Sequence, residues 1–163
     1  YLYGTGTLQR IFLLPDDFQL WIRGQGQLSS ARLLSSERMA IGGEATVRGY
    51  DERIMDGDEG WQFSTELRSP AFRLHVPFTP ERYARLENRL LAFFDDGRVD
   101  YRHPRPDDFP LSRLTSTGVG LRTSWASNFS LAFDYGWQLK STGPGVLAQP
   151  NRSRAHLQAT LSY

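Results

Sequence analysis

The chain of 163 residues contains no cysteine, which excludes disulfides and cysteine-ligated metals while leaving the compartment open. Long apolar runs are absent too. The longest are a few residues, far short of the roughly 20 that a transmembrane helix needs. Charge of one sign is likewise missing: 19 Lys+Arg against 18 Asp+Glu leave a formal net charge of +1, so nothing electrostatic points to nucleic acid as a partner. His75, His103 and His156 are scattered without metal-ligand spacing, and no Gly-x-Ser-x-Gly elbow occurs. Asp95-Asp96 and Asp107-Asp108 are neighbours in sequence, and adjacent strand residues face opposite ways, so neither makes a general-acid pair. No catalysis, metal or cofactor is expected. The mean hydropathy of -0.47 suits a soluble domain, and equally a transmembrane barrel in which every second residue faces a polar lumen. The chain begins Tyr1-Leu2-Tyr3 with neither an initiator methionine nor a signal peptide, the pattern expected of a mature or truncated piece.

What is present is alternation. Phe18, Leu20, Ile22, Gly24 and Leu28 share one parity, against Gln19, Arg23, Gln25 and Gln27, with Trp21 the exception on the polar side. Trp61, Phe63, Thr65 and Leu67 alternate with Gln62, Ser64, Glu66 and Arg68. The clearest segments come last. Phe129, Leu131, Phe133, Tyr135, Trp137 and Leu139 oppose Ser130, Ala132, Asp134, Gly136 and Gln138, and Ala155 to Tyr163 repeats the pattern. With Tyr1–Leu14, Leu86–Phe94 and Leu114–Thr123 this predicts about seven strands, of a length that crosses a bilayer at a tilt. The strand around Phe93 is expected to stop sharply at Gly97. Residues 69–85, with prolines at 70, 77 and 80, are expected to form an irregular connection. Connections alternate between short (Pro15–Asp17, Ser124–Asn128) and long (about 35–60, 98–113, 140–154), as in outer-membrane barrels; the 69–85 connection breaks that rule. A soluble β-sandwich binding module is the competing reading, since it too alternates. Its outer face is usually rich in Lys, Glu and Thr, whereas the polar face here is Ser, Ala, Gly, Gln, Asp and His.

Between two such strands lies Gly42-Gly43-Glu44-Ala45-Thr46-Val47-Arg48-Gly49-Tyr50, followed by Gly57-Asp58-Glu59-Gly60-Trp61. Glycines permit close backbone approach and positive φ, so a folded-back loop presenting one cation is predicted. An arginine so presented suits a carboxylate, which its fork of donors can bind bidentately.

Val47-Arg48-Gly49-Tyr50, Gly57-Asp58-Glu59-Gly60-Trp61 with Glu66-Leu67, and Phe93-Phe94-Asp95-Asp96-Gly97 resemble the outer-membrane transporters of two-partner secretion (TpsB), the haemolysin secretion/activation proteins. The loop tip and the F-x-D-x-G strand (Phe93, Asp95, Gly97) are shared with the wider superfamily of barrel-assembly proteins; the Gly57–Trp61 motif points more narrowly to secretion. The resemblance covers essentially the whole chain. It implies an all-β fold: an antiparallel transmembrane β-barrel, of which residues 1–163 form the C-terminal part, about seven of sixteen strands, with a lumenal loop at about 35–60. It implies that Arg48 reaches into the lumen to pair with Asp95 on the wall. Breaking a buried pair of this kind costs roughly 3–5 kcal/mol, less in a wet lumen. It implies location in the bacterial outer membrane and a role as a pore secreting, and activating, a partner exoprotein such as a haemolysin or adhesin. Further partners so implied are outer-membrane lipid and, through the terminal aromatic Tyr163 as assembly signal, the barrel-assembly machinery. No nucleic acid is implied. A barrel assembly or insertion factor of the same superfamily is the alternative. Tyr50 is left as a wall contact or a plain loop aromatic, and Glu66 as a lumenal or a solvated carboxylate. The polar wall (Gln62, Ser64, Asp134, Gln138, Gln158) is expected to touch a moving chain weakly.

Overall fold

A computed structural model describes residues 1–75, 85–106, 108, 113–125, 128–141 and 152–162. The strands are β1 (Tyr3–Leu13), β2 (Gln19–Ser29), β3 (Met39–Ile41), β4 (Met55–Gly57), β5 (Glu59–Arg68), β6 (Phe72–His75), β7 (Arg85–Asp100), β8 (Arg113–Trp125), β9 (Phe129–Gln138) and β10 (Ser153–Leu161). Seven of them make one antiparallel sheet in the order β1-β2-β5-β7-β8-β9-β10, with β6 also on β7 and β3-β4 forming a separate hairpin. Tyr163 lies outside the described residues.

Period-two alternation gives this sheet two unlike faces. Leu67, Leu90, Phe94, Val119, Phe133, Trp137 and Leu157 point outward with no layer over them among the described residues; Phe133 is 38% and Trp137 43% exposed. A sandwich would bury this set between two sheets, so that alternative is excluded. The opposite face carries Ser64, Glu66, Asp95, Ser116, Asp134 and His156. Trp21 belongs there as well: its indole N–H donates to Gln19 Oε1 at 3.0 Å, and the Arg68 guanidinium lies 3.8 Å from its ring centroid. The exception to the alternation is therefore a lumenal aromatic.

Two expectations need correction. Residues 72–75 are a strand, pairing Phe72 with Asn88 and His75 with Arg85. Pro70 has no N–H to give the ladder, and Ser69 substitutes, donating its N–H to Leu90 O (2.8 Å) and accepting the Leu90 N–H on Oγ (3.0 Å). β5 and β6 thus read as one strand interrupted at Ser69-Pro70-Ala71. What remains of the connection is residues 76–84, outside the described set. The second correction is that β7 does not stop at Gly97 but continues to Asp100. Gly97 is instead a contact point, where a Cβ would come 3.1 Å from Val47 Cγ2 of the loop.

Register fixes the ends. Gln19 opposite Arg68, His75 opposite Arg85 and Leu86 opposite Trp125 put the Pro15–Asp17 turn, the end of β6 and the start of β7 at one end. Residues 30–58, 101–106 and 139–141 lie at the other. Residues 30–58 fold back over the polar face. The β3-β4 hairpin and the tip bury Met39, Ile41, Val47, Tyr50 and Met55 against Val99 of β7 and Leu114 of β8. The sequence reading foresaw a loop; what forms is a small folded unit with its own apolar core.

Candidate functional site

Arg48 is held at the loop tip by a tight backbone. Gly43 accepts from Thr46 N–H (3.3 Å) and donates to Val47 O (3.1 Å). Gly49 follows at φ +88°, a left-handed conformation in which a Cβ is strained. The side chain is 4% exposed and faces Asp95, which is fully buried. The pairing expected from the resemblance is present and bidentate: Nε donates to Asp95 Oδ2 and Nη2 to Asp95 Oδ1, both at 2.8 Å. The Arg48 backbone N–H adds a third bond to Oδ2 at 3.1 Å. Ser64 closes the set, donating to Asp95 Oδ1 at 2.6 Å and accepting from Nη2 at 3.1 Å.

The guanidinium has more partners than that one carboxylate. Nη1 donates to Glu66 Oε1 at 2.6 Å and approaches Asp134 Oδ2 at 3.5 Å. Glu66 is therefore lumenal, not a solvated carboxylate. Asp134 is also gripped by Arg122 through two bonds of 2.8 Å, and Glu66 by Arg68 Nε at 2.9 Å. The Arg48 Cζ stands 3.6 Å from the Phe93 ring centroid, a cation–π contact strengthened by exclusion of water. One loop side chain thus reaches β5, β7 and β9 at once, which requires the sheet to curve around it. Burial alone would lower the Arg48 pKa. The hydrogen bonds and charges of Asp95, Glu66 and Asp134 outweigh it and hold the guanidinium protonated above its ordinary value. Arg48 and Asp95 are themselves almost inaccessible, while the cavity beside the tip reaches Arg48, Ser64, Glu66 and Asp134.

The rest of the tip is fastened independently of charge. Gln138 Nε2 donates to Gly49 O at 2.8 Å, and Gly49 N–H donates to His156 Nε2 at 3.3 Å. Tyr50 is fully buried; its hydroxyl lies 2.8 Å from Thr115 O and 2.7 Å from Lys140 O. Burial pushes the Tyr50 pKa up, against the pull of those hydrogen bonds. It is a wall contact. Val47 is also fully buried, in the loop core.

The Gly57–Trp61 motif does different work. A Cβ on Gly57 would come 2.8 Å from the Asp100 N, and one on Gly60 2.9 Å from Val99 Cγ1, so both glycines let the loop's return strand lie against β7. Asp58, fully buried, accepts from the N–H groups of Leu33 and Arg102, each at 2.8 Å. It ties together two segments at the long-loop end. Around it Tyr101 lies between Arg32 and Arg38, whose Cζ atoms are 5.1 and 5.2 Å from its ring centroid. Trp61 points outward and is 40% exposed. Asp96, on the opposite face from Asp95 as the alternation requires, binds Arg113 and Thr115.

The sequence reading missed Gly118, Gly136 and His156 as parts of this site. Each is unremarkable in its own segment; only strand register brings it to the loop. The adjacent inner wall leaves a cavity of about 350 Å³ beside the tip, lined by Trp21, Arg23, Arg68, Arg122 and Gln158 among others.

The fold has a known counterpart. The structure is similar to that of CdiB from Escherichia coli, with a TM-score of 0.68 and 22% identity over 98% of this chain and 27% of that one. The sequence is 32% identical over 103 residues to the outer membrane transporter CdiB of Dickeya dadantii (strain 3937), covering 63% of this chain and 17% of that protein. The chain therefore spans only a fraction of the length of these relatives. Residues 3–123 match the model of the haemolysin secretion/activation protein ShlB/FhaC/HecB family. The chain belongs to that family.

Proposed function

We propose that this chain is the C-terminal wall of an outer-membrane pore that secretes, and takes part in activating, a partner exoprotein. The observation that carries the reading is a loop with its own core, locked by Arg48 and Asp95 onto the polar face of a sheet whose other face is apolar and bare. The outward face suits lipid, since alternation of this kind is how a strand serves bilayer and channel at once. The inward face suits a hydrated path for an extended chain. Ser64, Asp134 and Gln138 are occupied by the loop in this state, so their contact with a passing chain requires the loop to move. Gln158 and Arg23, beside the cavity, need no such release. The chemistry is transport, without bond making. The barrel-assembly machinery is the partner during biogenesis, and lipid afterwards.

The test is secretion by the full-length protein. Arg48→Asp or Asp95→Arg alone is expected to abolish export and displace the loop, and the combined swap to restore part of both. Unchanged export with either single reversal would sink the reading. Depletion separates the assembly-factor alternative, in which many outer-membrane proteins would fall together rather than one secreted protein.

A further inference from the structure

The lipid-facing wall changes character at one level. On the outward face Phe94, Trp137, Val119 and Phe133 form the upper part of an apolar band, and the next residue up on β7 is Asp96. Two residues further, Arg98 stands directly across from Arg113 on β8, with Trp61 of β5 on its other side. With about 3.3 Å rise per residue and a tilted strand, this row lies roughly 10 Å above Phe94. It is at the long-loop end.

Like charges set directly opposite across two strands repel one another. Here the repulsion is only partly answered. Arg98 gives Nε and Nη2 to Asp100 (2.7 and 3.1 Å), and Arg113 gives Nε and Nη2 to Asp96 (3.0 and 2.6 Å). These carboxylates orient both guanidiniums outward yet leave Nη1 of each without a partner among the described residues. Both side chains remain about half exposed, at 51% and 47%. Arg113 also leans on the Trp61 ring, 5.9 Å from its centroid. Tryptophan beside arginine at the edge of an apolar band is the composition of a headgroup-level anchor.

We propose that Arg98 and Arg113, flanked by Trp61, bind the phosphate monoester of a lipid headgroup in the membrane leaflet on the long-loop side. A phosphate monoester carries close to two negative charges and several acceptor oxygens, so it satisfies both free Nη1 groups and relieves the cross-strand repulsion. The lipid's acyl chains then lie along Phe94, Val119 and Trp137. The site needs only the barrel's place in the membrane, so it stands or falls apart from the translocation reading.

The experiment uses the full-length protein in phosphatidylcholine vesicles doped with lipid A, re-extracted in detergent and assayed for co-purifying lipid. Wild type is expected to retain lipid A preferentially, and Arg98→Gln/Arg113→Gln to lose about tenfold of that retention. The lysine pair, which keeps both charges but not the forks, is expected to fall between. Heat-modifiable migration checks that each variant is a folded barrel; if the double variant is not, Arg98→Gln alone is read, with a partial loss expected. Equal retention by wild type and variant, or no preference for lipid A over phosphatidylcholine, would overturn the proposal. So would release of the lipid by millimolar inorganic phosphate, which would mark a free-anion site.

Discussion

Gly49 of the loop tip and Gly136 of β9 meet backbone to backbone. A Cβ on Gly136 would lie 2.8 Å from Gly49 N, and one on Gly49 2.9 Å from Gly136 O. Loop docking therefore depends on the absence of a side chain as well as on the presence of charges. Gly136→Ala is expected to weaken docking by roughly 1–3 kcal/mol, the usual cost of overpacking. The change leaves the Arg48 and Asp95 side chains in place chemically, while the new methyl would also press on the Arg48 carbonyl carbon at 3.0 Å. Chymotryptic cleavage at the buried Tyr50 in the full-length protein would report it, and cleavage no faster than wild type would show that the contact is not limiting.

The ion pair and the loop's apolar core are comparable in size. Leaving Asp95 buried without Arg48 costs roughly 3–5 kcal/mol, while burial of Val47 and Tyr50 contributes on the order of 3–6 kcal/mol. Arg48→Ala should therefore accelerate loop opening sharply without converting the loop wholly to the undocked state. Arg48→Ala/Asp95→Ala should be less damaging than the two single effects combined, because no stranded charge remains. The same cleavage assay measures the cycle, and simple additivity would mean that the pair is not coupled. Arg48→Lys should rescue poorly, since an ammonium cannot supply the fork to Asp95 while reaching Glu66.

How much of this was readable beforehand follows from the range of each signal. Alternation is a local property, and it set Asp95 and Asp96 on opposite faces, as found, while the resemblance put Asp95 on the inner wall. It also flagged Trp21 as out of place, correctly, without showing that Arg68 would stack on it. Strand-to-strand register is not local: nothing within Phe129–Gln138 says that Asp134 and Gly136 lie under residues 48 and 49. The three-residue strands β3 and β4 are too short to show a period, and the glycines around them mask the apolar residues Met39, Ile41 and Met55. Pro70 hid β6 because its missing N–H is replaced by a serine side chain, a substitution that depends on Leu90 across the ladder. Gly97 was read as a terminator when it is a clearance for Val47.

Phe93 couples the strand motif to the arginine through its ring. Gly118 stands directly across the ladder from it, and a Cβ there would come 2.6 Å from Phe93 Cε1. Gly118→Ala is expected to tilt the ring and so shift Arg48, with a cost of roughly 1–3 kcal/mol. Phe93→Leu loses the cation–π contact, worth about 2 kcal/mol when desolvated, but removes the ring's share of the alanine's clash, leaving the still closer Tyr135 carbonyl oxygen. The double variant should thus lose less than the two changes summed. Thermal unfolding midpoints of the folded barrel, with Tyr50 cleavage alongside, would show it; strictly additive losses would place the ring's role elsewhere.

At the long-loop end Asp58 ties Leu33 to Arg102, Arg32 binds Asp108 bidentately (2.7 and 2.8 Å) and Tyr101 packs between Arg32 and Arg38; this clasp should open at both extremes of pH, for opposite reasons. Burial and then the hydrogen bond to Asp56 (2.7 Å) push Tyr101 up to about 12. A pKa raised above its unfolded value stabilises the clasp fully below the ordinary tyrosine range near 10, and that contribution is lost as pH climbs through about 12. Asp108 behaves in the reverse sense. The hydrogen bonds from Arg32, and then from the Arg105 backbone, hold its carboxyl well below the usual range. Its contribution is present above the ordinary aspartate value near 4 and disappears only in stronger acid. Near neutrality both partners keep the required protonation state, so residues 30–38 and 101–106 should stay protected from hydrogen exchange between roughly pH 5 and 9. Tyr101→Phe should remove the alkaline limb, and Arg32→Gln should weaken the acid limb, the Arg105 N–H still holding Asp108 in part. An acid limb that persists unchanged in Arg32→Gln would assign it to another carboxylate of the clasp.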